Sequence, residues 1–216
     1  MAVVPADWPE GEEPLTAFVS EDPGDGERRP AVIFLHGGFA YGPADWEMAA
    51  PFRDAGFVTM TPILRGENGQ PGVFTAFHRE VRDVLAAASA LASMPHVDPD
   101  RIYVAGHSAG AILGMLAAEY VGSAEAPPVR FAGVASLSGN ADLSALKESS
   151  FISPVLSAED ESEWTIRSYG AFLESLSCPV LFVDGSEEGW KSEVTAAAAA
   201  VVQELGLESE FKVVPG

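Results

Sequence analysis

Cysteine and lysine are scarce in this sequence of 216 residues. Cys178 is the single cysteine, so no disulfide can form within the chain, and the lack of disulfides favours the cytoplasm. Only three of the 12 basic residues are lysines, against 32 acidic residues, and the formal net charge is −20. Such a surface repels phosphate backbones, so we expect no nucleic-acid partner. The acidic excess is typical of a solvated surface, and adaptation to high salt is the alternative interpretation.

Long apolar runs are also absent. No run reaches the roughly 18 residues that a membrane-spanning helix needs, and the first residues lack the basic and apolar regions of a signal peptide. Cysteine and histidine do not occur at metal-ligand spacing, and the sequence has neither a phosphate-binding loop nor a dinucleotide fingerprint. We therefore expect a cytoplasmic protein with no membrane partner, no metal and no cofactor.

Strand-like and helix-like segments alternate along most of the chain. This order predicts an α/β fold with a mostly parallel, doubly wound sheet and helices on both faces. Residues 1–14 predict an irregular lead-in, and the more polar residues 140–176 predict an insertion over the strand ends, helical in part. No linker divides the chain, so residues 1–216 are predicted to form a single domain. Strands are predicted at 15–19, 31–35, 57–63, 102–105, 131–137, 179–183 and 211–214, and helices at 45–54, 77–91, 112–120 and 192–205.

The motif Gly106-His107-Ser108-Ala109-Gly110 lies between a strand-like and a helix-like run. G-x-S-x-G in that setting predicts a nucleophile elbow, a tight turn that presents the serine hydroxyl at the carboxyl end of a sheet. We expect glycine at both ends of the motif because a side chain there would collide with the neighbouring strand or helix. Ser108 is the predicted nucleophile. The backbone N–H of Ala109 opens the following helix and is a predicted donor to the oxyanion.

The order of the motifs resembles the α/β-hydrolase fold, over about residues 15–216. More narrowly, it is similar to the catalytic domain of the prolyl oligopeptidase and dienelactone hydrolase-like branch. The β-propeller that prolyl oligopeptidases carry ahead of this domain has no counterpart in so short a chain. The motifs that carry the resemblance are His36-Gly37-Gly38 after a strand, Arg65-Gly66 after the next, the elbow, and the strand segment Cys178-Pro179-Val180-Leu181-Phe182-Val183-Asp184-Gly185.

The resemblance implies a second oxyanion donor in the loop after the first buried strand. That donor is the backbone N–H of Phe39 or Gly38, where glycine lets the backbone approach substrate closely. The side chains of Phe39, Tyr41 and Trp190 are candidates for the acyl or leaving-group pocket, or else belong to the core. Arg65 follows a strand end, where it either orients substrate or forms a surface ion pair.

The resemblance also implies a triad acid after the strand at 179–183. In related sequences the acid stands three residues after the glycine that matches Gly185, and that position is Glu188. Many relatives have aspartate there, so glutamate is a mild departure. Glu187 and Asp184 are the alternatives, and a solvated acidic loop is the non-catalytic interpretation.

The triad base is the difficulty, because the chain has four histidines and none fits readily. In the resembling family the histidine lies after the last strand, a few residues beyond a Pro-Gly, and this chain ends at Pro215-Gly216. His36 belongs to the oxyanion loop, the side chain of His107 diverges from its neighbour Ser108, and His96 is expected at the opposite end of the sheet. His78 is the remaining internal candidate. We therefore expect a chain truncated before the catalytic histidine loop.

The function predicted from these residues is acyl transfer by a serine hydrolase. Ser108 attacks a carboxylic ester, or else a peptide or amide, and Glu188 orients a histidine that takes the proton. The expected partner is a small ester or short peptide, and the 216-residue chain itself is expected to be inactive for lack of the base. The alternative is a non-catalytic α/β-hydrolase-like binding domain.

Overall fold

A computed structural model describes residues 2–3, 14–123, 129–148, 152 and 154–215 of the chain. Its strands are β1 Ala2–Val3, β2 Thr16–Val19, β3 Arg29–Leu35, β4 Val58–Pro62, β5 Val97–His107, β6 Gly133–Leu137, β7 Val180–Gly185 and β8 Ser209–Val214. Its α-helices are α1 Pro43–Met48, α2 Ala50–Asp54, α3 Glu80–Ala92, α4 Ala109–Ser123, α5 Glu161–Thr165 and α6 Trp190–Glu204, with 3-10 helices at Leu143–Leu146, Tyr169–Ala171 and Leu173–Ser175.

The strands form one sheet in the order β1-β2-β4-β3-β5-β6-β7-β8. The five neighbouring pairs from β4 through β8 are parallel, and β2 pairs antiparallel with both β1 and β4. The predicted mostly parallel sheet is therefore confirmed.

The strand order reverses at β3. The chain moves from β3 to β4 on one side and then crosses to β5 on the other side, so the carboxyl ends of β3 and β5 flank a topological switch point. Loops that leave the sheet there diverge and open a crevice, which is where ligands bind in open α/β sheets. Leu35 is paired with Gly106 at this point, so the loop after β3 lies beside the elbow.

Apolar side chains pack on both faces of the sheet, because alternate residues of a strand point to opposite faces. On β3, Ile33 and Leu35 enter the larger core with α3 and α4, while Val32 and Phe34 enter a smaller cluster with Phe52 of α2. Helices thus cover both faces of the sheet, as the alternation of strands and helices along the sequence predicts.

The structure differs in detail from the predicted elements at four places. Ala2–Val3 is a strand paired with β2, not part of an irregular lead-in, whereas residues 4–13 lie outside the described residues. The strand predicted at 102–105 begins earlier, at Val97, and its pairing with β3 shifts register between Arg29 and Ala31. The predicted helix at 45–54 is two short helices, with proline in the first turn of the second. Helix α3 begins at Glu80 because Ala76 and Phe77 have positive φ, outside the helical region.

Candidate active site

Ser108 stands at the predicted elbow, between the last residue of β5 and the first residue of α4. Its φ is 52°, in the left-handed region that non-glycine residues rarely adopt. The backbone holds this conformation at both ends: the Ser108 N–H donates to the Leu137 carbonyl at 2.8 Å, and the Ser108 carbonyl accepts from the Ala111 N–H at 3.0 Å. The residue is exposed at the carboxyl end of the sheet. A solvent-facing serine whose strained backbone is held by hydrogen bonds on both sides is typical of a nucleophile elbow.

The two glycines of the motif are required by close backbone contact. A Cβ on Gly106 would lie 2.1 Å from the carbonyl oxygen of Gly110. A Cβ on Gly110 would lie 2.2 Å from the carbonyl oxygen of Leu35, so the first turn of α4 touches the end of β3. The collision expected from the sequence is confirmed, and it brings the elbow against the strand that leads into the predicted oxyanion loop, His36-Gly37-Gly38-Phe39.

The loop His36-Gly37-Gly38-Phe39 leaves β3 next to the elbow. Gly38 has φ of 74° and is exposed. The chain therefore turns at this glycine, and the backbone there is open to solvent. A Cβ on Gly37 would lie 2.7 Å from Nδ1 of His107, which places that imidazole against the loop. His107 therefore packs the elbow onto the oxyanion loop.

His36 is buried and engaged with Glu67. Its Nε2 lies 2.9 Å from a carboxylate oxygen of Glu67, and its Nδ1 lies 3.1 Å from the Gly37 carbonyl oxygen. Burial disfavours the charged imidazole, but the hydrogen bond and the charge of Glu67 outweigh it and raise the pKa of His36 above its usual value. The same carboxylate accepts the Leu64 N–H at 3.3 Å. His36 therefore anchors the base of the oxyanion loop.

The His36–Glu67 pair predicts a pH-dependent contribution to stability. A histidine whose folded pKa is raised contributes stability that is fully present below its unfolded pKa of about 6.5 and is lost as pH rises through the folded pKa. Glu67→Gln should therefore cost more free energy of unfolding at pH 6 than at pH 9, by about 1–2 kcal/mol. Urea denaturation of both proteins at the two pH values measures this difference. Glu210→Gln, in an exposed ion pair with Lys212, is the control, and an equal cost at both pH values would contradict the assignment.

The three acid candidates differ in where β7 and its following loop place them. Asp184 lies on the buried face of β7 that packs against α6; burial raises its pKa, against the opposing effect of the Thr195 and Ser192 hydroxyls. Neither of its carboxylate oxygens has a hydrogen bond of good geometry among the described residues. Glu187 is exposed. Glu188 is half-buried beyond Gly185, with its carboxylate 3.4 Å from the Lys191 ammonium.

Strand register places the Glu188 loop at the same edge as the elbow. His107 is paired with Leu137, and Leu137 is paired with Val183, so β5 and β7 end at the same level with β6 between them. Two strand spacings separate Ser108 from the end of β7, about 10 Å. That separation excludes direct contact and leaves room for a bridging imidazole.

Two other histidines lie away from the elbow. His96 precedes β5 at its amino end, where its carbonyl accepts the Arg29 N–H and its Nδ1 lies 3.3 Å from Asp22. His78 is exposed beside Leu116 and Tyr120, in the second half of α4. Tyr120 is twelve residues beyond Ser108, about 18 Å along a helix. Neither histidine makes a hydrogen bond to Ser108 in the part of the chain that the structure describes.

Three phenylalanines form an aromatic cluster beside the oxyanion loop. Ring centroids of Phe39 lie 5.1 Å from Phe74 and 6.3 Å from Phe77, and Phe74 and Phe77 are 5.9 Å apart. Phe39 therefore lines the site from the oxyanion loop. Phe74 was missed from the sequence, because only its place in a Gly-Val-Phe loop after a strand could have suggested it. The cluster forms an apolar wall beside this loop.

For side chains near the site, the structure decides one open alternative, contradicts one prediction and leaves a third residue outside the description. Tyr41 is a core residue: its ring stacks on Phe18 with centroids 5.1 Å apart, and its hydroxyl lies 3.4 Å from that of Thr61. Arg65 is in neither a substrate pocket nor a surface ion pair, because its guanidinium is buried against Asp83. The side chain of Trp190 lies outside the described residues.

The insertion fixes the segment that carries two of the aromatic rings. Arg167 is buried and donates through Nε and a terminal nitrogen to the Thr75 carbonyl, at 3.4 and 3.2 Å. Glu80 accepts both the Thr75 N–H and its hydroxyl at 2.7 Å. Thr75 lies between Phe74 and Phe77, so residues 140–176 shape the pocket through this contact. The insertion is partly helical, as predicted, in its described residues.

The fold, the elbow and the adjoining loop define an α/β-hydrolase architecture. The model of the alpha/beta hydrolase family matches residues 32–212, and the chain belongs to that family. This confirms the resemblance noted in the sequence.

Individual relatives include peptidases and esterases. The uncharacterized peptidase YtmA of Bacillus subtilis is 26% identical over 172 residues, which are 77% of this chain and 66% of the relative. A puromycin-hydrolyzing peptidase of Mycobacterium tuberculosis superposes with a TM-score of 0.76 and 23% identity over 97% of this chain, but over 35% of its own length. The propionate-bound esterase Est2 of Thermogutta terrifontis gives a TM-score of 0.74 at 20% identity, over 100% of this chain and 82% of its own.

Among the described residues, none of the helices has the length and apolar character needed to cross a membrane. The cytoplasmic location and the absence of a nucleic-acid partner stay predictions.

Proposed function

We propose that the protein is a serine hydrolase that works through an acyl-enzyme on Ser108. The observation that carries the proposal is the strained, exposed Ser108 at a topological switch point, in a turn whose Gly110 packs on the backbone of Leu35 and His36. The family includes hydrolases by name, and the similar proteins are peptidases and esterases. Ser108 Oγ attacks the carbonyl carbon, and the leaving group departs when the tetrahedral intermediate collapses.

The oxyanion is proposed to rest on two backbone donors. Ala109 lies in the first turn of α4, where an N–H has no carbonyl acceptor within the helix and the helix dipole favours negative charge. The N–H of Phe39 or Gly38 supplies the second donor from the adjoining loop. Donors fixed in the backbone need no reorganisation as the charge develops, so they stabilise the transition state more than the substrate.

Glu188 is the proposed triad acid. Asp184 faces α6 on the buried side of β7, and Glu187 is fully in solvent, whereas Glu188 is half-buried in the loop at the elbow's edge of the sheet. The gap of about 10 Å between the ends of β5 and β7 suits an acid that reaches the serine through an imidazole.

The base is proposed to come from a histidine outside the four in this sequence. His36 is held by Glu67, His107 packs on Gly37, and His96 and His78 lie elsewhere. Val214 pairs with Gly185, so residues that follow β8 emerge beside the Glu188 loop. Because β8 lies on the far side of β7 from β5, a histidine in that segment would have to cross the end of β7 to lie between the proposed acid and Ser108.

We propose small carboxylic esters as the substrates, ahead of peptides or amides. The support is the similarity to an esterase that has propionate bound and that matches over 82% of its length. The cluster of Phe39, Phe74 and Phe77 favours an apolar group next to the carbonyl. No cofactor takes part in the proposed reaction.

Labelling with a fluorophosphonate probe tests the proposal. The complete gene product, read from the natural coding sequence, should be labelled, and Ser108→Ala should abolish the labelling because the phosphonylated oxygen is gone. Ser138→Ala is the matched control: Ser138 also has φ of 52° at a strand end, with its N–H bonded to Val183, and its loss should leave labelling intact. Labelling that survives in Ser108→Ala, or no labelling of the complete product, would overturn the proposal.

A non-catalytic binding domain is the second candidate. It is favoured by one observation, that none of the four histidines hydrogen-bonds to Ser108 in the described residues. A complete gene product that binds p-nitrophenyl esters but does not release p-nitrophenol would support it.

A further inference from the structure

A groove of about 280 Å³ lies between α3, the second half of α4 and the insertion. Its lining is about evenly polar and apolar, and Glu119 of α4 is part of it. The residues that matter here are Phe77, Val81, Leu116, Glu119, Tyr120 and Phe172.

Glu119 has no partner in the part of the chain that the structure describes. The residue is 4% exposed, and both carboxylate oxygens are buried without a hydrogen bond. Three other buried acids are satisfied, Glu67 by His36, Glu80 by Thr75 and Asp83 by Arg65, whereas Asp184, beside α6, shares with Glu119 the lack of a hydrogen bond of good geometry. An unsatisfied buried carboxyl group costs free energy, so its retention beside a groove needs an explanation.

We propose that this groove binds a primary ammonium group carried on an apolar body, with the Glu119 carboxylate as its counter-charge. Both oxygens are covered in the free protein, so the Glu119 side chain would turn towards the groove for the cation to supply the hydrogen bonds that it lacks. Phe77, Tyr120 and Phe172 supply the aromatic part of the lining, against which an apolar body would pack.

The charged neighbours define the electrostatics of the groove. Arg82 and His78 of α3 lie on its rim and are exposed, so solvent screens them. Glu174, exposed in the 3-10 helix Leu173–Ser175, adds negative charge. Burial, with a smaller contribution from Glu174, raises the pKa of Glu119 to about 9, so the carboxyl group of the free protein is protonated at neutral pH.

Binding therefore releases one proton. The neutral carboxyl group loses its proton to solvent, and the resulting carboxylate pairs with the ammonium group of the ligand. The affinity should rise about tenfold for each pH unit from 7 towards 9, and fall again above the amine's own pKa of about 10.

The site is independent of the proposed hydrolase chemistry. Glu119 is eleven residues beyond Ser108 in the same helix, about 16 Å along its axis. Phe77 belongs both to the groove and to the aromatic cluster beside the oxyanion loop, and it is the contact between the two regions.

Isothermal titration with 2-phenylethylamine at pH 7, 8 and 9 tests the proposal on the full chain. We expect the dissociation constant to fall about tenfold per pH unit, with one proton released to the buffer. Glu119→Gln keeps the size and shape of the side chain, and it should weaken binding at pH 9 at least tenfold and remove the pH dependence. Arg82→Gln removes a repelling charge and should tighten binding, whereas 2-phenylethanol should bind weakly and equally at each pH.

The controls distinguish a loss of binding at this site from a loss of folding. Glu174→Gln, on the neighbouring exposed acid, should retain binding within about threefold. Circular dichroism should show Glu119→Gln folded at each pH. Unchanged affinity in Glu119→Gln, tighter binding of 3-phenylpropionate than of the amine, or no binding of the amine at millimolar concentration would overturn the proposal.

Discussion

Gly110→Ala is expected to destabilise the protein by at least about 3 kcal/mol, at or beyond the upper end of ordinary overpacking. The added Cβ would lie 2.2 Å from the Leu35 carbonyl oxygen and 2.6 Å from that of His36. Both atoms belong to the backbone where β3 enters the oxyanion loop, so no side chain can rotate away. Relief requires α4 to move off the sheet, and that movement would also displace Ser108.

Gly114→Ala is the matched control in the same helix. Its Cβ would lie 3.5 Å from a methyl group of Val104, an ordinary van der Waals contact. Alanine is preferred to glycine inside a helix by about 1 kcal/mol, so this variant should be neutral or more stable. Urea denaturation of the three proteins measures the difference. Equal stability of the two variants would show that α4 does not press on β3 as closely as the structure indicates.

Arg65→Met is expected to cost about 3–5 kcal/mol, because it leaves the Asp83 carboxylate buried without its counter-charge. The Arg65 guanidinium donates to one Asp83 oxygen at 3.0 and 2.5 Å, and the Arg65 backbone N–H donates to the other at 3.0 Å. Burial raises the pKa of Asp83 to about 6 even with Arg65 present. An acid with a raised folded pKa loses stability as pH rises from its unfolded pKa of about 4 through its folded value. Without Arg65 the folded pKa rises further, so the cost of Arg65→Met should be larger at pH 8 than at pH 5.

A double variant and a surface variant test whether the cost comes from the buried charge of Asp83. Arg65→Met with Asp83→Asn should recover part of the loss at pH 8, because the uncompensated charge is removed. Arg101→Met, which breaks an exposed ion pair with Asp98, should cost less than about 1 kcal/mol. Thermal and urea unfolding at the two pH values provide the measurement. A pH-independent cost similar to that of Arg101→Met would contradict the buried ion pair.

Local sequence patterns determined the elements and the elbow. The alternation of buried strands and helices predicts a parallel sheet, because its strands are apolar on both faces. The spacing of Gly106, Ser108 and Gly110 identifies the elbow, because only glycine fits where helix and strand backbones touch. These features depend on residues within one or two elements, so a single sequence suffices. The boundaries were less certain: α3 begins at Glu80 because of two positive φ values that the spacing of apolar residues does not reveal.

Tertiary structure alone decided how polar and aromatic side chains are partnered. The pairs Arg65–Asp83 and His36–Glu67 join residues 18 and 31 positions apart, and the sequence offered many acids for each cation. Phe74 reaches Phe39 only because the loops after β3 and β4 converge at the switch point. Asp184 is buried on β7 against α6, whereas Glu188 is half-buried in the loop after β7, and the missing hydrogen-bond partner of Glu119 becomes visible only when α3, α4 and the insertion are packed together. The sequence by itself thus determined the family and the tight turn around Ser108, because those are local. Partners and pockets required the fold, because they depend on contacts between distant segments.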